Sequence, residues 1–192
     1  KMSSREGKVI LYDDTLKEMI VFAVSEIKKR DNLPEKELSK RAKKIALAAI
    51  KYSMLSQDPK KTIVFDQEKS ISFDGDTGPY LLYSFVRASS ILRKIKNTKI
   101  KFNIENINEK EYLLVKKISL LNEVAEKAGE QTNPSLIANY SFELCKLFNE
   151  FYHSSQVIGS GREEFLIYLI KSFKEVLSKS LYLLSIETLE EM

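Results

Sequence analysis

An all-α protein, a helical bundle with a shorter helical module in front of it, is the fold class this sequence predicts, and three observations predict it. Apolar residues recur at intervals of three and four through several long stretches, the mark of amphipathic helices. All four prolines, Pro34, Pro59, Pro79 and Pro134, fall in turns or at helix starts, where a missing N–H costs least. The one extended piece that stands out, Ile63-Val64-Phe65, is too short to build a sheet.

From Tyr12 to Arg30 the residues Leu16, Ile20, Val24 and Ile27 form the predicted inward stripe of a first helix. Asp13 and Asp14 near its start and Lys28-Lys29-Arg30 at its end oppose the helix dipole. Leu33-Pro34 breaks it. Glu35 to Ser56 reads as a second helix that packs through Ile45, Ala48, Ala49 and Tyr52, with Lys36, Lys40, Lys43, Lys44 and Lys51 around its exposed side. Asp58-Pro59-Lys60-Lys61 is a turn, and Asp66 is placed to cap a brief helix through Ser70.

In Phe73-Asp74-Gly75-Asp76-Thr77-Gly78-Pro79-Tyr80, glycines and acids crowd into a tight turn before a long helix, with Thr77 as its cap and Pro79 in its first turn. At 100° per residue, Tyr80, Tyr83, Arg87, Ser90 and Lys94 share one side of that helix, opposite Leu81, Phe85, Ala88, Leu92 and Ile95. The pattern fits a solvated face whose tyrosines cover the edge of the core as well as it fits a face turned to a ligand.

Asn97 to Asn108 is polar and basic and reads as a connecting loop. Glu109 to Gly129 reads as a single helix with Leu113, Ile118, Leu121, Val124 and Ala125 inward and Gly129 at its close. Asn133-Pro134 starts the next, through Leu136, Ile137, Tyr140, Leu144, Leu147 and Phe151 to Tyr152-His153. Arg162 to Leu184 closes the chain, packing through Phe165, Leu166, Leu169, Phe173, Val176, Leu177 and Leu181. The module is placed at residues 1–78 and the bundle at 79–192.

With 43% hydrophobic residues the 192-residue chain has material for a buried core. It contains no run of about 18 apolar residues to span a membrane, and no signal-type block follows the N-terminus, so a cytoplasmic protein is expected. Cys145 is the sole cysteine and His153 the sole histidine. That excludes an internal disulfide and a Cys/His zinc set, and makes a Cys–His catalytic pair eight positions apart on one helix a poor candidate. No metal site is expected.

The formal charge of +4 hides a segregation. Residues 28–61 carry eleven Lys or Arg against four Asp or Glu, and residues 87–101 carry six against none. Such concentration suits a phosphate backbone, and it equally suits a lysine-rich solvated face.

The wording of two segments narrows the choice. Lys1-Met2-Ser3-Ser4-Arg5-Glu6-Gly7 resembles the KMSKS signature of class I aminoacyl-tRNA synthetases, with Ser4 in place of its second lysine and Arg5 as the nearest cation. The segment from Phe73 through Tyr83, Arg87 and Ser90-Ile91-Leu92-Arg93-Lys94 is similar to arginyl-tRNA synthetases, as are Ile137-Ala138-Asn139-Tyr140, Phe148-Asn149-Glu150-Phe151-Tyr152-His153 and the ending Glu190-Glu191-Met192. Family members commonly read Phe-Asp-Trp where this chain has Phe65-Asp66-Gln67.

The resemblance implies a role for each segment. Lys1, Met2, Ser3, Ser4 and Arg5 would form the loop that brings charge and hydroxyl groups to the triphosphate of ATP. Tyr152, His153, Gln156 and Met192 would line the pocket for anticodon bases, where rings suit unstacked bases because every base offers a π face. Gln156 stands where some members carry tryptophan, and a structural or solvent-facing His153 is an equal alternative. Lys40, Lys43, Lys44, Lys51, Arg87 and Lys94 would contact tRNA backbone, giving affinity without sequence choice.

The expected protein is therefore the C-terminal part of an arginine–tRNA ligase, with arginine tRNA and an N-terminal catalytic domain as partners. ATP with magnesium would be used by the whole enzyme and no cofactor bound by this part. Because no His-Ile-Gly-His sequence is present, the chain alone is not expected to activate arginine. The rival expectation is a non-catalytic helical module for protein interaction or nonspecific RNA binding.

Overall fold

A computed structural model describes residues 11–29, 32–95 and 107–191, and its regular structure there is entirely helical. The elements are α1 (Tyr12–Lys28), α2 (Glu35–Leu55), α3 (Gln67–Ser70), α4 (Gly78–Arg93), α5 (Glu109–Ser119), α6 (Leu121–Glu130), α7 (Ser135–Ser154) and α8 (Glu163–Leu183). α1 packs on α2, α2 on α4, and α4 on both α7 and α8, while α5 and α6 lie against α7. Among the described residues no helix is long and apolar enough to cross a membrane.

The turn before α4 forms as its residues dictate. Thr77 Oγ1 accepts from the Tyr80 amide at 3.3 Å, and Gly75 takes φ +82. Gly78 lets α4 start directly against α2: a Cβ there would stand 2.3 Å from the carbonyl oxygen of Ala48. Beside that crossing the buried Tyr52 hydroxyl sits between Asp76 Oδ1 and the Ala138 carbonyl, joining α2, the turn and α7. Burial, and secondarily Asp76, push its pKa up.

Three expectations need correction. In α1 the innermost row is Thr15, Met19, Ala23 and Ile27, with Leu16, Ile20 and Val24 half-buried on its flank. Ala23 is small, and α2, on which α1 packs, buries Ala42, Ala46, Ala48 and Ala49, so small side chains let the two helices meet closely.

The helix expected over Glu109–Gly129 is two helices, interrupted at Leu120. The Lys117 carbonyl accepts from the Leu120 amide at 3.2 Å and from the Tyr140 hydroxyl at 2.9 Å, and Ser119 Oγ donates to the Lys116 carbonyl at 2.8 Å. Side chains have entered the helical ladder, which breaks it. The register follows: Leu113 is exposed and Leu114 fully buried.

Gly129 lies inside α6, and the left-handed residue that ends the helix is Thr132 at φ 49, closed by the Asn133 amide on the Ala128 carbonyl at 2.9 Å.

The chain closes with a strap across the bundle. Ser185 at φ 55 turns it off α8, with the Ile186 amide on the Leu181 carbonyl at 2.8 Å. Leu184, Ile186 and Leu189 are then buried, while Glu187, Glu190 and Glu191 pair with Lys44, Lys174 and both Arg41 and Arg93.

Candidate nucleic-acid interface

Asn149 occupies an interior position of α7, on the side that meets α4, and is buried. Such an amide is stable only if its polar atoms are matched, and here they are. Its Nδ2 donates to the Tyr80 hydroxyl at 2.9 Å and to Ser84 Oγ at 3.0 Å, and its Oδ1 accepts from Arg87 Nη1 at 2.5 Å. Arg87 can only donate, which fixes the amide in this orientation.

Arg87 in turn donates from Nη2 to the Tyr83 hydroxyl at 3.0 Å. Its guanidinium carbon lies 4.7 Å from the Tyr83 ring centroid and 5.0 Å from that of Tyr152. Each such contact contributes about 0.5–2 kcal/mol. Burial raises the pKa of Tyr80, against the opposing effects of Asn149 and Arg87. The result is a cation held between two rings, with one of them, Tyr152, half-exposed at the end of α7.

Of the expected base-contacting residues, His153 lies against that ring. His153 is exposed and meets the Tyr152 ring edge-on at 5.7 Å between centroids, and Gln156 is exposed in the loop that follows α7. Behind them Phe148 stacks on Phe173 of α8 at 3.8 Å, which anchors the end of α7. Met192, and Lys1, Met2, Ser3, Ser4 and Arg5 of the expected ATP loop, lie outside the described residues.

The expected backbone cations divide into two kinds. Lys40, Lys43 and Lys94 are exposed. Lys44 pairs with Glu187 at 3.1 Å and Lys51 donates to the Ser185 carbonyl, so the C-terminal strap engages both. Arg87, also expected on tRNA backbone, stands half-buried in the aromatic cluster.

Asn149 is not among the site residues the sequence points to, and Tyr83 enters there only as part of the tyrosine face of α4. The signal for Asn149 was an amide three positions before Tyr152, on the same face as Phe148 and Cys145. Among the described residues no group of His, Cys, Asp or Glu is arranged to hold a metal ion.

Residues 81–192 match a known family, the DALR anticodon binding domain. This chain belongs to that family. The matched part of this DALR domain contains Arg87, Asn149, Tyr152, His153 and Gln156. The whole chain is 36% identical to a stretch covering 33% of the arginine–tRNA ligase of Flavobacterium psychrophilum, and 36% identical to one covering 34% of that of Borrelia hermsii.

The chain thus spans about a third of the length of the curated relatives it matches. The arginyl-tRNA synthetase of Thermus thermophilus superposes over the full chain and 33% of its own length, with a TM-score of 0.91 at 29% identity. The arginyl-tRNA synthetase of Plasmodium falciparum shares the fold, with a TM-score of 0.77 at 20% identity over 96% of this chain.

Proposed function

We propose that this chain is the tRNA-binding, anticodon-reading part of an arginine–tRNA ligase, an enzyme that uses ATP to attach arginine to its tRNA through an arginyl-adenylate. The observation that carries the reading is the stack of Arg87 on Tyr152, with the exposed His153 against that ring, within a DALR anticodon binding domain. A half-exposed ring held from behind by a cation is a ready platform for an unstacked base, and one such stack contributes about 1–3 kcal/mol.

In this reading Lys40, Lys43 and Lys94 meet backbone phosphate, residues 1–78 form the module that carries Lys40 and Lys43 to the stem side, and 79–192 hold the anticodon. Met192 adds its thioether to the base pocket. Lys1, Met2, Ser3, Ser4 and Arg5 serve the ATP side, where ATP and its magnesium are bound chiefly by the catalytic domain of the longer enzyme. The similarity to arginine–tRNA ligases supports arginine as the amino acid and arginine tRNA as the partner, and a cytoplasmic setting follows from that role.

The test is a binding series with an RNA stem-loop carrying an arginine anticodon and the same stem-loop with those bases replaced, each at two salt concentrations. The reading predicts a marked preference for the first that persists when salt is raised. Sequence-blind binding that falls steeply with salt contradicts it and favours a nonspecific RNA-binding or protein-interaction module.

A further inference from the structure

We infer that Asn149 is a positioning residue of the base-stacking site: by holding Arg87 Nη1, it fixes the guanidinium against the Tyr152 ring and so sets the pose of the platform that meets an anticodon base. The inference rests on the reading of Tyr152 as that platform. Asn149 itself is buried behind the cluster, so it acts through Arg87 and not by touching RNA.

The geometry supports this in three ways. Among the described residues Arg87 has two side-chain hydrogen-bond partners, Asn149 and Tyr83, and Tyr83 lies on its own helix one turn away. The bond to Asn149 is therefore the one that ties Arg87 to α7, the helix that carries Tyr152. The amide is itself immobilised by the Tyr80 hydroxyl and by Ser84, so it cannot turn away without breaking two further bonds. Arg87 keeps N–H groups beyond the two so used, and the direction in which they point is set at the same time.

Two substitutions separate positioning from packing. Asn149→Ala removes the acceptor and frees Arg87. Asn149→Asp keeps an oxygen toward Arg87, while the Tyr80 and Ser84 hydroxyls rotate to donate to the other oxygen. The 192-residue chain and both variants are titrated with the stem-loop carrying an arginine anticodon and with its base-replaced counterpart, alongside Tyr152→Ala. Thermal melts confirm folding. In parallel, NMR of the arginine Nη protons reads how firmly Arg87 is held in the absence of RNA.

Asn149→Ala is expected to lose the preference between the two loops, with about a tenfold drop for the cognate one, in the range for losing one base stack. Its Arg87 Nη signals are expected to average. Asn149→Asp is expected to keep both the preference and separate Arg87 signals. Wild-type preference in Asn149→Ala, or Asn149→Asp failing as fully as Asn149→Ala, overturns the inference.

A preference that survives Tyr152→Ala is a different failure, that of the platform reading. The NMR comparison still decides the role of Asn149 in that case: unchanged Arg87 signals in Asn149→Ala refute it.

Discussion

The guanidinium of Arg87 lies over the ring of Tyr152, 5.0 Å from its centroid, across the contact between α4 and α7. These residues are far apart in sequence and were assigned different expected tasks, phosphate for one and bases for the other. Their stack makes one surface of them, and the predictions below follow from separating that surface from the cations around it.

Lys40 and Lys43 are exposed, whereas Lys44 and Lys51 are occupied by the C-terminal strap. Replacing both Lys40 and Lys43 with alanine is predicted to lower the slope of log affinity against log salt by about one to two and to leave the anticodon preference alone. Replacing Lys44 and Lys51 should change the slope less. Equal changes from the two pairs, measured by salt titrations with the same stem-loop, contradict the division.

Gly78 stands where α4 meets α2, and a methyl group there would overlap the Ala48 carbonyl. Backbone cannot yield as a flexible side chain does, so Gly78→Ala is predicted to destabilise by about 1–3 kcal/mol. That corresponds to roughly 2–12 °C in melting temperature for a chain of this size. A melt equal to wild type contradicts the close approach.

Much of this arrangement could be read before any coordinates. Thr77, Pro79 and Asp66 announce helix starts through local chemistry, and both caps form, Thr77 toward the Tyr80 amide and Asp66 toward the Lys69 amide. What sequence could not give depends on partners distant in the chain. Periodicity locates the buried side of α1 only to within a residue, because whether Ala23 or Val24 points inward depends on the alanines of α2. The break at Leu120 depends on Tyr140 reaching back to the Lys117 carbonyl. Lys44 and Lys51 look like free cations until the strap folds over them. Asn149 has no evident partner in the sequence until α4 presents Arg87 to it.

Glu111 is a second residue whose role sequence hides. It completes a capping box with Asn108 at the start of α5 and also receives both Nη groups of Arg162 from the start of α8, at 3.1 and 2.8 Å, while itself 2% exposed. Glu111→Ala is predicted to cost about 3 kcal/mol, the low end for breaking a buried pair because Arg162 keeps access to water. A melting temperature lowered by roughly 6–12 °C checks this, since each kcal/mol shifts a chain of this size by about 2–4 °C. A shift under about 2 °C contradicts it.

The strap should respond to acid. A hydrogen bond from Lys44 holds the Glu187 carboxylate below its usual range, and one from Lys174 does so for Glu190. A carboxylate whose folded pKa is depressed contributes stability above its unfolded pKa, and loses it as pH falls through the folded value. A Glu187→Gln, Glu190→Gln double variant is therefore predicted to melt below wild type near neutral pH, with the gap closing as pH falls below about 4. A gap that stays constant to about pH 3 contradicts the ion-pair account.

The central claim is that Tyr152, backed by Arg87, meets an anticodon base, and photo-crosslinking tests it most directly. A stem-loop RNA with an arginine anticodon and a 5-iodopyrimidine in place of an anticodon base is irradiated on the 192-residue chain, and the adduct is mapped by mass spectrometry. The account predicts an adduct on Tyr152 that is lost when unlabelled stem-loop competes. Adducts confined to the α2 surface around Lys40 and Lys43, with none on Tyr152, contradict it.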